Sequence, residues 1–147
     1  MSIFQNFRYY ISNLPGWRTD RKIIIFESDD WGSIRMPSKE AFRKLVDSGI
    51  PIQDNPYCKY DALESNSDLE TLFEVLLKFK DKHGNHPVFT GVNVVANPDF
   101  EKIKASDFQQ YFYEPFTETL ERYPDHDRVY QLWKEGAEKR LFVPQFH

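Results

Sequence analysis

Two rhythms of apolar residues alternate along the chain. Ile3, Phe4, Phe7, Tyr10, Ile11 and Leu14 recur every three or four positions, which predicts an amphipathic helix over residues 2 to 13, ended by Pro15-Gly16. Its polar face is not strongly basic, so packing against its own domain is expected rather than docking on a membrane surface. The rhythm then changes. Ile23-Ile24-Ile25-Phe26 is short, β-branched and without polar alternation, the signature of a strand buried on both faces of a parallel sheet. Pro87 to Pro98 reads as a second such strand, in which Thr90, Gly91 and Asn93 suit a barrel interior where backbones or ligands approach closely. Leu141 to His147 reads as a third.

Helical periods fill the intervals. Ser38 caps a helix through about Asp47, with Gly49 as its stop. Residues 50 to 66 look like loop, and Tyr57 and Tyr60 are expected to pin it rather than stack on a sugar ring. Ser67 and Glu70 have capping-box spacing, opening a helix that buries Leu69, Leu72, Phe73, Leu76, Leu77 and Phe79 before Gly84 closes it. His83 and His86 flank a turn, where they cannot share a helical face. Asn97-Pro98 reads as a chain turn. Residues 99 to 106 are ambiguous and 107 to 113 form an aromatic link; Pro115 then begins a helix to about Arg122. A last helix over about 127 to 139 turns Val129, Leu132, Trp133 and Ala137 inward, with His126 solvated at its start. The fold class is α/β, a single domain over 1–147 with an N-terminal helix and turn over 1–20 and about three parallel strands flanked by helices.

Composition narrows the function classes. A formal net charge of −4 with no basic face excludes a nucleic-acid role. Cys58 is the only cysteine, so an intrachain disulfide and a thiolate zinc site are both out, and a reducing compartment fits. Its expected role is a small buried or half-buried filler. The start lacks the basic residues and continuous apolar core of a signal peptide, which predicts a cytoplasmic protein, and no run approaches the roughly 20 apolar residues of a membrane span.

The candidate chemistry lies at strand ends. Asp29 and Asp30 follow the first apolar run, and in α/β folds sites form beyond the carboxyl ends of strands. Adjacent aspartates commonly cap helices or solvate turns. At the mouth of a buried strand, however, they repel unless a cation or a raised pKa relieves them, and either relief is characteristic of functional sites. His147 ends the third run, so Asp30 and His147 would bring an oxygen and a nitrogen ligand to one rim, a mixture suited to zinc. Trp31 and Asn93 are candidate substrate contacts near that rim.

Glu27-Ser28-Asp29-Asp30-Trp31-Gly32 resembles the first motif of the polysaccharide deacetylases of the NodB-homology type, usually Thr-Phe-Asp-Asp-Gly, with Trp31 set between the aspartates and the glycine. Phe146-His147 is similar to the opening of the family's second motif, His-Ser/Thr-x-x-His. The resemblance implies the N-terminal part of an irregular, TIM-like βα barrel and metal-dependent removal of acetyl groups from a carbohydrate. It makes Asp29 the general base, Asp30 a metal ligand and His147 the first of two histidine ligands, the second falling beyond the last residue. Zinc is the expected divalent ion, bound weakly or not at all by these residues alone, with no activity unless the missing part is supplied. An open half-barrel predicts self-association through strand edges. A receiver domain also carries an acidic pair after its first strand, but it needs an aspartate where this third strand has His147. A binding or assembly module of α/β type, whose acids are surface turns, is the non-enzymatic alternative.

Overall fold

A computed structural model describes residues 3–146. The chain begins with helix α1 (Ile3–Asn13), and strand β1 (Phe26–Trp31) follows after an irregular stretch. Helices α2 (Lys39–Asp47), α3 (Pro56–Tyr60) and α4 (Asn66–Leu77) precede strands β2 (Phe89–Asn93) and β3 (Ala96–Pro98). Helix α5 (Phe100–Ala105), strand β4 (Tyr113–Pro115), helices α6 (Phe116–Glu121) and α7 (Val129–Glu138), and strand β5 (Phe142–Phe146) complete it. Strands β1, β2 and β5 form a parallel sheet in that order, while β3 and β4 pair antiparallel as a separate ribbon. An α/β architecture with three parallel strands and flanking helices is therefore as the patterning predicts.

One face of the sheet is packed. Phe89 and Phe142 face each other across the β2–β5 register, and Phe142 meets Trp133 of α7 with ring centroids 5.7 Å apart. Leu69, Phe73 and Leu76 of α4, Phe116 and Leu120 of α6, and Val129 and Leu132 of α7 complete the buried cluster. Gly136 allows α7 to close on this layer, because a Cβ there would lie 2.6 Å from Phe73 and 2.8 Å from Phe142. The other face carries Glu27, Thr90, Val92, Val143 and Gln145, none of them buried.

That asymmetry corrects the strand reading. Strand β1 lies at a sheet edge and starts only at Phe26, leaving Ile24 and Ile25 79% and 73% exposed instead of buried on both sides. An all-apolar run signals burial only when both faces find partners, and here it precedes the paired residues. Helix α1 forms as expected, and its residues from Phe7 onward, with Leu14 just after it, are all exposed, so this part of the helix does not pack as the sequence suggested. The 87–98 run divides into β2 and β3, because Val94 and Val95 carry the chain from one sheet to the other.

Capping explains the remaining shifts. Ser38 caps α2 as predicted, accepting the Ala41 N–H at 3.0 Å. For α4 the cap is Ser65, not Ser67, with Asp68 closing the reciprocal box at 2.8 Å on the Ser65 N–H. Either serine has an acid three positions on; Ser65 prevails where Asn66 is tied to the loop before α7, its N–H bonded to the Asp125 carbonyl at 2.9 Å. The helix also ends earlier, at Leu77, so Leu77 and Phe79 are exposed. In α7 the buried small residue is Gly136 and Ala137 is exposed. Within the 50–66 loop, Asn55 caps the short helix α3 through the N–H groups of Tyr57 and Cys58. Cys58 is half-buried, in keeping with a filler role.

Candidate functional site

The carboxyl ends of the parallel strands define a rim. Trp31 pairs with Asn93 and Asn93 with Phe146, so these three residues stand abreast at one end of the sheet. Asp29 and Asp30 belong to the last turn of β1 at that end, where the register slips between Ser28 and Trp31. β5 reaches the same end at Phe146; His147, the next residue in sequence, lies outside the described residues.

Beside the rim opens a cleft of about 830 Å³. Asp29, Asp30 and Trp31 line it from β1, Tyr57, Tyr60 and Asp61 from α3 and its C-terminal cap, and Glu64 and Asp68 from the start of α4. Asp30 has a left-handed backbone with φ of 61°, uncommon for a side chain larger than hydrogen and best tolerated by asparagine and aspartate. Gly32 follows in the same region at φ 79°, where a Cβ would also meet the Phe116 ring at 3.2 Å. This double reversal turns the acidic residues out of the ladder toward the cleft.

The cation that relieves the acidic pair is internal. Arg35 places Nη2 3.0 Å from Asp30 Oδ2 and Nε 2.8 Å from Asp61 Oδ2, with its guanidinium carbon 5.5 Å from the Tyr57 ring centre. Asp29 is exposed and its carboxylate has no hydrogen bond or ion pair among the described residues. Tyr57 and Tyr60 are themselves exposed, Tyr60 by 73%, so neither pins the loop as the sequence suggested; both present ring surface at the cleft.

Two buried polar side chains fix the turn from behind. Glu64 Oε2 accepts the Gly32 N–H at 3.0 Å, while Asn97 donates to the Gly32 carbonyl at 2.8 Å and accepts the Ile34 N–H at 3.0 Å. Asn97 also donates to Thr119 Oγ1, which donates to Glu114, itself ion-paired with Arg122. Asn97 is thus a structural tie of the acidic turn and not merely a chain reversal. The segment carrying Glu64 is held by His126, whose Nε2 lies 3.2 Å from the Leu63 carbonyl, so this histidine is a half-buried brace and not a solvated neighbour of the helix.

Burial pushes the Glu64 carboxyl above the ordinary glutamate range, against the smaller opposing pull of the Gly32 N–H. Between the ordinary and raised values the folded chain holds a proton that the unfolded chain has released. Stability is therefore expected to fall as pH rises through that window and to level off above it. Glu64→Gln should remove this decline, as read by urea unfolding at a series of pH values.

The predicted site residues divide accordingly. Asp29, Asp30 and Trp31 share the cleft. Trp31 also packs on Phe89 and Phe142, at centroid distances of 5.6 and 5.0 Å. Asn93 does not line the cleft; it is fully buried, and neither atom of its amide has a partner among the described residues. His83 and His86 lie on the turn the sequence predicted, where the Asn85 N–H and side-chain amide, and then the His83 N–H, donate to Asp81 and hold its carboxyl below the ordinary aspartate range. Among the described residues no three His, Cys, Asp or Glu side chains converge in a way that would hold a metal ion. No helix among them is long and apolar enough to cross a membrane. Comparison with family models, curated proteins and solved structures finds no match for this chain.

Proposed function

We propose that the cleft is the beginning of a carbohydrate deacetylase site of the polysaccharide-deacetylase type, on a sheet that forms the first part of an irregular βα barrel. The observation that carries this reading is the placement of Asp29, whose carboxylate has no partner among the described residues, and an Arg35-paired Asp30 at the rim where β5 ends at Phe146. The open face bearing Glu27, Thr90 and Val92 would become the barrel interior.

In this reading Asp29 is the general base and takes the proton of the attacking water, for which an exposed carboxylate with no fixed partner is suited. Asp30 and His147 would hold a divalent ion, with zinc matching an oxygen and nitrogen donor set. The donor chemistry of Asp30 fits, with Arg35 to be displaced from Oδ2 before a second cation approaches that oxygen. When bound, such an ion supplies Lewis acidity toward the acetyl carbonyl and the water. Tyr57, Tyr60 and the part of Trp31 that lines the cleft offer aromatic surface to a sugar.

Zinc titration followed by amide NMR tests the reading on this chain and on one extended past His147 to supply the motif's second histidine. Shifts at Asp29–Gly32 and at His147 that are weak in this chain, strengthen in the extended one and vanish in Asp30→Ala are expected. A flat response in both chains, or one unchanged by Asp30→Ala, would overturn it. The second reading is a non-catalytic binding module, favoured by the Arg35 guanidinium already neutralising Asp30 and Asp61. Under that reading, alanine at Asp29 and Asp30 leaves ligand interactions unchanged.

A further inference from the structure

We propose that Glu64 and Asn97 are positioning residues for the acidic turn: together they hold both backbone polar groups of Gly32 and so set the direction in which Asp29 and Asp30 enter the cleft. The role of those carboxylates rests on the deacetylase reading; the clamp itself does not.

The geometry is specific. Glu64 lies 32 positions after Gly32 and Asn97 lies 65 positions after it, yet the two reach its N–H and its carbonyl at 3.0 and 2.8 Å. Asn97 continues to the Ile34 N–H, so the two peptide groups flanking Ser33 are tied to one amide. The Ser33 N–H closes the turn internally on the Asp30 carbonyl at 3.1 Å. Arg35 follows directly, so the same clamp aims the guanidinium that meets Asp30.

Neither clamp is free to drift. Glu64 and Asn97 are only 9% and 3% exposed. Behind Asn97 stand the fully buried Thr119 and then Glu114, which couple the turn to α6 and β4. Behind Glu64 stands the Ser65 cap of α4. A buried carboxylate bonded to a backbone N–H beside a ligand residue plays the part of an outer-shell partner, whose loss characteristically weakens binding at the inner residues. One Glu64 oxygen performs the clamp, and the other, Oε1, is buried without a partner among the described residues. The clamp thus needs an acceptor at this position and not a charge.

The test compares Glu64→Ala, which deletes the acceptor, with Glu64→Gln, which keeps it. Hydrogen exchange at the Gly32 amide reads the clamp, and zinc-induced amide shifts in the chain extended past His147 by the motif's second histidine read the carboxylates. Glu64→Ala should speed Gly32 exchange about tenfold, the loss of one net hydrogen bond, and weaken zinc binding about tenfold or more. Glu64→Gln should restore both. Unchanged Gly32 exchange in Glu64→Ala overturns the clamp. Faster exchange with unaltered zinc affinity overturns its positioning role. If the unsubstituted chain carrying the motif's second histidine shows no zinc response, the deacetylase reading fails, and exchange at Gly32 alone then decides whether the clamp stands.

Discussion

Replacing Phe142 with alanine is expected to destabilise the chain by about 3–5 kcal/mol in urea unfolding, the range for removing a buried phenylalanine. Phe142 is fully buried at the start of β5, against Trp31, Phe89 and Trp133 at ring distances between 5.0 and 6.2 Å. Its surroundings are built for its bulk. A Cβ at Gly91 would approach its ring to 2.4 Å, and one at Gly136 its Cβ to 2.8 Å, so glycines on two neighbouring elements make room for it. Glycine has no side chain to move into the void, which puts the loss toward the upper end of that range. Since domains of ordinary stability hold about 5–15 kcal/mol, the variant should be close to unfolding. Ile24→Ala, which removes an exposed side chain, should stay within about 0.5 kcal/mol. A Phe142→Ala loss no larger than that control would contradict the packing.

Asn97→Ala carries the second large effect, about 3 kcal/mol. It strands the Gly32 carbonyl and the Ile34 N–H together, and each group left unsatisfied in a buried setting costs about 1–3 kcal/mol. Asn97→Asp should do no better, because it exchanges two donated bonds for a charge two hydrogen bonds away from Glu114. Urea midpoints for both variants provide the check. If Asn97→Asp matched the unsubstituted chain, the donor assignments would be wrong.

These two residues mark the reach of sequence reading here. Period and punctuation located the elements well: Ser38 and Gly49 bracket α2, and the apolar runs near residues 89 and 142 became β2 and β5. Phe26 is different, because local apolarity cannot report whether neighbouring strands cover a segment, and β1 proved to be an edge. The Ser65 and Ser67 caps differ by two residues because both satisfy the local rule, and contacts to the Asp125 loop choose between them.

For the site, the position of Asp29 and Asp30 at a strand end was legible, while their partners were not. Arg35 stands five residues past Asp30, beyond helical or strand spacing, and meets it only because two positive-φ residues reverse the chain. Glu64 and Asn97 reach Gly32 from other elements, and nothing in their flanking residues sets them apart from an ordinary acid before a helix cap and an ordinary Asn-Pro turn.

The left-handed backbone at Asp30 separates what the main chain wants from what the cleft uses. Conformation alone favours glycine there, so a library sorted for resistance to heat would drift toward glycine at position 30, whereas, under the proposed deacetylase reading, one sorted for zinc capture would retain the acid. The sequence at that codon is therefore a readout of which pressure the molecule is under.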